Sequence, residues 1–299
     1  MSLRKTRRHR ENGVVRLSKG PRHGIYNMET YKVKCGQDLI LGMRSIKGAE
    51  ETSLDNNDFV HVIISALKDY DKPVVVKIYS TFNEHLRNER RALEIVSKFR
   101  NTVPLLCDFA CNDDKTRYIT KLQQPIQFCH TPSPDKLNFF VFEYLQFGDI
   151  SDYIAKQIDP QAVYTIILQM VCVIIQLASK YRILHGDLNT GNILVDKTDE
   201  KMVDYVIDNK TISIASYGFI PKLIDYGKCL IFESPIPIYL VWESIAMMFS
   251  VVRNYVKDEW INQTLNTFSS DITVKLPALY NYYEFAESVL KPRPKTTTT

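Results

Sequence analysis

His185, Asp187 and Asn192 fall in one run, His185-Gly186-Asp187-Leu188-Asn189-Thr190-Gly191-Asn192, and Asp225-Tyr226-Gly227 follows further along the chain. An acid and an amide five positions apart, then a second acid, offer three oxygen groups suited to phosphoryl transfer. That reaction asks for little covalent chemistry from the protein. It needs an acceptor hydroxyl held in line and cations over the developing charge. Asp187 is the candidate base for the hydroxyl proton. Asn192 offers a neutral oxygen and Asp225 a charged one to Mg2+, a hard cation that takes such ligands. Gly227 is expected to let the chain turn sharply after Asp225. His185 reads as a brace beneath the loop. Asp and Asn are also common turn formers. Two motifs in this order, each with an apolar flank, favour the chemical reading.

Those groups need elements to position them. The apolar run 163–178 leads into the loop as a helix, and Ile193-Leu194-Val195 leads out as a strand. Upstream, residues 38–43, 59–66 and 73–79 are rich in β-branched and aliphatic residues and read as strands, with 67–72 as a hairpin connection. Val74-Val75-Val76-Lys77-Ile78-Tyr79 places one lysine inside an apolar strand, where it needs a partner. The plain alternative is an edge-strand lysine with its head in water. A helix over 83–99, with Leu86, Leu93 and Val96 at helical spacing, supplies acids. Glu89 is the first choice of partner, Glu94 the second and Glu84 the third. The segment 46–53 is the candidate phosphate-covering loop. Its single glycine, Gly48, allows close backbone approach, whereas Glu50 and Glu51 would be unfavourable beside phosphate.

Residues 101–136 read as short strands and loops. The strand 138–145 breaks into Gln146-Phe147-Gly148-Asp149, as a hinge between lobes would. Backbone groups of Glu143 to Leu145 are candidates for holding an adenine, with Phe142 behind it. Residues 150–157 and 160–181 read as helices, with Pro160 in a first turn. After Val195 comes a polar hairpin-like insert in which Asp208-Asn209 is the turn signal.

Composition sets outer bounds. The chain has 299 residues, 45% of them hydrophobic and 24% charged, with a net charge of +4. These values fit an ordinary globular protein and give no call for a nucleic-acid partner. The one exception is the basic tail with Arg4, Lys5, Arg7, Arg8 and Arg10, where a solvated terminus is favoured over a nuclear-localisation or nucleic-acid patch. The run 19–26 has two glycines but lies far upstream of Lys77, so it is not favoured as a phosphate loop. The six cysteines show neither a disulfide framework nor a zinc spacing. Cys107 and Cys111 are expected to be buried or reduced thiols in a reducing compartment. No signal peptide is visible. The apolar runs 163–178 and 236–252 read as buried core helices, the first because it is short and carries Gln169 and Gln176.

Together these pieces resemble the protein-kinase superfamily over roughly residues 40–290. The resemblance is carried by Val-Val-Lys77, by the His185–Asn192 run and by Ile-Asp225-Tyr-Gly227. The insert ending in Tyr-Gly-x-x-Pro-Lys-Leu-Ile-Asp-Tyr-Gly is similar to haspin-like kinases and to divergent kinases of large DNA viruses. The resemblance implies an α+β, bilobal kinase-like fold. A basic extension would cover 1–37, a small β-rich N-lobe with its helix 38–143, a mainly helical, trimmed C-lobe 144–290, and a disordered tail 291–299. ATP and Mg2+ would be the cofactors. Lys77 would anchor the ATP, Glu89 would be its ion-pair partner, Asp187 the base, and Asn192 and Asp225 the metal ligands. The implied activity is transfer of the γ-phosphate to a Ser/Thr hydroxyl of a protein substrate. The expected setting is a monomer with no membrane attachment, intracellular (cytoplasmic or nuclear, in a host cell or virion if viral).

Departures from the family pattern are plain. Asn189 stands where most protein kinases carry a lysine that steadies the transferred phosphate; haspin-like kinases also lack it. The glycine-rich loop is degraded, and no Ala-Pro-Glu segment follows Asp225. The helix near 239–252 lacks the aspartate that ties to the catalytic loop. A phosphorylated activation loop is therefore not expected, and constitutive activity is. Two other readings stay open: a small-molecule phosphotransferase of the aminoglycoside or choline type, and a pseudokinase scaffold.

Overall fold

The computed structural model describes residues 39–45, 52–54, 58–67, 72–79, 84–110, 118–119, 125–126, 138–157, 159–266 and 281–290. The chain divides into two units, residues 1–82 with 105–144 and residues 83–104 with 145–299.

The first unit is strand-rich. Its strands are β1 (Leu39–Ser45), β2 (Thr52–Leu54), β3 (Asp58–Leu67), β4 (Pro73–Tyr79), β5 (Leu105–Ala110), β6 (Tyr118–Ile119), β7 (Pro125–Ile126) and β8 (Asn138–Glu143). An antiparallel sheet runs β1-β3-β4-β8-β5, with β2 added on β3, and β6 pairs with β7 apart from it. The strands β4 and β8 are mostly apolar, interrupted on β4 by Lys77. Their buried residues include Val74, Val76, Ile78 and Tyr79 on one and Phe139 to Phe142 on the other. That is how central strands covered on both faces read. The Tyr79 and Phe140 rings meet edge to face at 5.9 Å. One sulfur chemistry differs from expectation: Cys107 is disulfide-bonded. The reduced-thiol reading rested on irregular spacing, which does not report which thiols a fold brings together.

The second unit is mainly helical. It begins with α1 (Glu84–Val96) and continues with α2 (Ile150–Lys156) and α3 (Pro160–Tyr181). Short strands follow: β9 (Ile183–Leu184), β10 (Ile193–Lys197), β11 (Met202–Ile207), β12 (Lys210–Ala215), β13 (Phe219–Leu223) and β14 (Leu230–Ile231). The helices α4 (Ile238–Val252), α5 (described over 259–266) and α6 (Tyr282–Leu290) complete it. The pairs are β9 with β14, β10 with β13 and β11 with β12, all antiparallel.

The central helix α3 starts where the sequence marks a start. The Asp159 carboxylate accepts from the Gln161 N–H at 2.9 Å and Pro160 takes the first turn. It ends at Arg182 in a left-handed conformation, φ 56°. At 22 residues it is long and apolar enough to cross a membrane, so the shortness expected of it does not hold. Within the protein, 89% of its most apolar window is packed. Its buried glutamines are satisfied. The Gln169 amide donates to the Phe219 carbonyl at 3.1 Å and accepts from the Tyr205 hydroxyl at 3.0 Å. The Gln176 amide donates to the Val206 carbonyl at 3.1 Å.

Those bonds dock the β11–β12 hairpin on α3, with Val203, Tyr205 and Ile207 buried and their neighbours exposed. The turn is Asp208-Asn209 with φ of 48° and 61°, the left-handed pair that a two-residue hairpin needs. The Asp208 carboxylate also accepts from the Tyr283 N–H at 3.0 Å, at the start of α6.

The expected division kept the first helix with the strands, within 38–143. It groups instead with the second unit. Two sets of contacts tie it there: the helix itself packs on residues 226–228, and residues 100–103, just beyond its C-terminus, are laced to β13. The Leu223 N–H donates to the Asn101 carbonyl at 2.7 Å, and the Val103 N–H to the Leu223 carbonyl at 3.2 Å. The Asn101 amide donates to the Pro221 carbonyl at 2.8 Å, and the Lys222 ammonium to the Arg100 carbonyl at 2.9 Å. Helical periodicity reports which face of a helix is buried, not which element covers it.

Candidate active site

The acid-and-amide run forms the loop between β9 and β10, and its residues hold one another. The Asn192 amide donates to the Asp187 backbone carbonyl at 2.9 Å. Its NH2 is thereby committed, and the planar amide turns its oxygen to the opposite side. The Asn189 N–H donates to the same Asp187 carbonyl at 3.0 Å. The Asp187 carboxylate takes two further contacts. The Asn189 amide donates to Oδ1 at 3.2 Å, and the Lys228 ammonium lies 3.1 Å from Oδ2. Asp187 is half-buried and the Lys228 side chain 50% exposed. Ion pairs that wet contribute about 0–1 kcal/mol.

Asp225 is tied to this loop from beneath. The backbone pairs Ile193 with Leu223, and the Ile224 N–H donates to the Asn192 carbonyl at 3.1 Å. His185 is buried, and its Nε2 lies 2.8 Å from the Ile224 carbonyl. A carbonyl can only accept, so Nε2 carries the proton. His185 therefore braces the residue that precedes Asp225.

Asp225 itself turns the chain, at φ 62° and ψ 69°. Its carboxylate accepts a long contact, 3.4 Å, from the Gly227 N–H. This corrects the role expected of Gly227, which has no positive φ and sits in a single 3-10 turn, Tyr226–Lys228. What Gly227 provides is room. A Cβ there would lie 3.3 Å from Asp225 Oδ1 and 3.5 Å from the His85 Cβ. Aspartate is one of the few residues other than glycine that visits the left-handed region readily.

The helix α1 lies over this turn. His85 Nδ1 donates to the Gly227 carbonyl at 3.1 Å. The Cys229 thiol, buried and pushed up to about 12 by burial and then by the Glu89 charge, faces the Asn88 carbonyl at 3.9 Å. The Tyr226 and Thr102 hydroxyls are 2.6 Å apart in the core. Of the three glutamates weighed, Glu84 and Glu94 are exposed and Glu89 is 1% exposed.

In the first unit, Lys77 stands on β4 opposite Val62 and Phe140. It is 8% exposed, on a strand with neighbours on both sides, which removes the edge-strand alternative. Its ammonium lies 5.1 Å from the Tyr79 ring centre. The Glu143 carboxylate pairs with Lys72 at 2.6 Å. The Tyr144 N–H donates to the Pro73 carbonyl at 3.4 Å, so that group of the supposed adenine-binding segment is already engaged. Leu145, at the start of the second unit's long stretch, is buried. Gly48 lies outside the described residues.

Among the described residues no group of three or more His, Cys, Asp or Glu is placed to hold a metal. The oxygens of Asn192 and Asp225 are hard donors. They suit Mg2+, which keeps waters and phosphate oxygens and asks for one or two protein ligands. Asn192 and Asp225 would hold it, and it would neutralise charge on the phosphates.

Sequence reasoning passed over three residues of this site: Lys228, Asn189 as a donor to Asp187, and Gly186. Gly186 has φ 77°, and a Cβ on it would fall 2.2 Å from the Lys228 carbonyl oxygen. Gly218 has φ 81° and nothing within 4 Å of such a Cβ. Gly218→Ala should therefore cost only the backbone strain, about 1 kcal/mol, and Gly186→Ala on the order of 3 kcal/mol or more. Urea unfolding of both variants checks the difference; equal losses would mean that the contact with Lys228 is not tight.

A strand-rich N-terminal region, a helical C-terminal region and an Asp-loop joined to a strand-end Asp define a mixed α+β kinase domain. The chain belongs to the protein tyrosine and serine/threonine kinase family, whose model matches residues 51–230. That span contains Lys77, Glu89, Glu143, Leu145, Asp187, Asn192 and Asp225, and leaves Gly48 just outside. An uncharacterized protein of Caenorhabditis elegans, ZK177.2, is 41% identical over 64 residues, 21% of this chain and 22% of that relative. The match thus spans about a fifth of the relative's length.

Proposed function

We propose that the protein is an ATP- and Mg2+-dependent serine/threonine kinase that transfers the γ-phosphate to a hydroxyl of another protein. The observation that carries this is the single hydrogen-bonded assembly of Asp187, Asn192, His185 and the Ile224-Asp225 strand end. Asp187 takes the acceptor proton, Asn192 and Asp225 hold the metal, and Lys77 anchors the α- and β-phosphates. Glu89 keeps the role that the resemblance gave it, and backbone groups near Glu143 and Leu145 serve the adenine. The haspin-like or viral affinity of the β11–β12 insert belongs to this proposal, as do an intracellular, monomeric state and a protein partner.

Intact Asp187, Asn192 and Asp225 favour catalysis over a scaffold role. The docking of the hairpin on α3 and α6 makes the insert part of the second unit's core, in keeping with the haspin-like reading. The test is incubation with labelled ATP and Mg2+ against casein, histone and an aminoglycoside. Label on Ser or Thr of a protein is the expected result. Label on the aminoglycoside alone would make it a small-molecule phosphotransferase. No label, together with no thermal shift on adding Mg-ATP, would leave the scaffold.

A further inference from the structure

We propose that Lys228 is the cation that steadies the transferred phosphoryl group, in place of a charge the catalytic loop lacks. This rests on the kinase reading above. In the loop the position two residues after Asp187 is Asn189, whose neutral amide donates to Asp187 Oδ1. The other carboxylate oxygen, Oδ2, receives the Lys228 ammonium at 3.1 Å, from 41 residues away in sequence. One donor is neutral and the other charged, and the charge comes from the turn after Asp225.

Two features make Lys228 more than a passing surface pair. Its backbone is pinned. Its carbonyl rests against Gly186 where no Cβ fits, and the next residue, Cys229, is buried and donates its N–H to the Tyr226 carbonyl at 3.1 Å. Its side chain is half exposed and meets the protein at the Asp187 carboxylate. A fixed backbone with an accessible ammonium on a flexible stem suits a group that must reach a phosphate.

Distance favours the same role. An acceptor hydroxyl delivering its proton to Asp187 sits about 2.6–3.2 Å from the carboxylate. The phosphorus it attacks lies roughly 3–3.5 Å further on. The ammonium 3.1 Å from that carboxylate is counted from the same group, so it and the reacting phosphorus fall within about 10 Å of one another, a gap its flexible stem can close. During transfer the acceptor oxygen bonds to the γ-phosphorus. The bond from that phosphorus to the β,γ-bridging oxygen breaks, and its electron pair leaves on ADP. The hydroxyl proton goes to Asp187. Lys228 faces the equatorial oxygens, where the charge spreads, and takes no part in the proton transfer.

The test compares the wild type, Lys228→Met, Lys228→Arg and the double variant Lys228→Met/Asn189→Lys. Lys228→Met should lower kcat about 100-fold, the scale of losing one preorganised charge contact. It should also weaken Mg-ATP binding roughly tenfold while leaving Mg-ADP binding within about twofold, because only ATP carries the γ-phosphate. Lys228→Arg should keep most activity, and Asn189→Lys should restore at least about tenfold of the loss. An unchanged ATP-to-ADP affinity ratio, or a kcat within about threefold of wild type, overturns the proposal while leaving the kinase reading intact. A wild type that neither binds Mg-ATP nor transfers phosphate overturns both.

Discussion

Replacing Asp187 with Asn is expected to lower kcat by about a thousandfold with little change in the affinity for Mg-ATP. The argument is local. Asn192 and the Asn189 N–H hold the backbone carbonyl of residue 187, not its carboxylate, so the loop keeps its shape in the variant. What goes is the side-chain anion and its pairing with Lys228. That pair is half exposed, so its loss should cost less than about 1 kcal/mol of stability. Steady-state kinetics and urea unfolding on the same preparation check both halves. A variant retaining more than about a tenth of wild-type kcat would remove Asp187 from the role of base.

The second large effect is expected at Asp225. Asp225→Asn should abolish measurable transfer and also the Mg2+-dependent part of nucleotide binding, because in the proposed function Asp225 is the charged metal ligand. Asn is the right probe here because residue 225 sits at φ 62°. Asn tolerates that region, whereas Ala would add roughly 1 kcal/mol of backbone strain and confuse folding with chemistry. Binding of ATP is to be measured with Mg2+ and with EDTA. In the wild type the chelator should weaken binding, and in Asp225→Asn it should change nothing. A variant that still responds to EDTA as the wild type does would mean the metal is held elsewhere.

Much of this was legible in the chain because local rules and global fold agree. Pro160 marks the start of α3 and Asp208-Asn209 marks the hairpin turn; the structure adds the Asp159 cap and the buried face of Val203, Tyr205 and Ile207. Lys77 stands out as one cation in an apolar strand, and Glu89 as one acid in the buried stripe of Leu86, Ala92, Leu93 and Val96. What stayed hidden is what only three-dimensional closure creates. Lys228 meets Asp187 because the hairpin returns the chain to the loop, and no spacing rule links them. The sharp turn expected at Gly227 falls on Asp225, which takes the left-handed position that glycine usually fills. The grouping of α1 follows from its packing on residues 226–228 and from the lacing of Asn101 to Leu223, which no periodicity encodes. The state of Cys107 likewise depends on proximity rather than pattern.

The thiol of Cys229 has a use that its burial confers. At neutral pH it is fully protonated and shut beneath α1, so an alkylating reagent such as iodoacetamide reaches it only in molecules whose helix has lifted from the 226–228 turn. Peptide-resolved labelling of that one sulfur is therefore a clock for opening at the Asp225 turn, read without any substrate in hand.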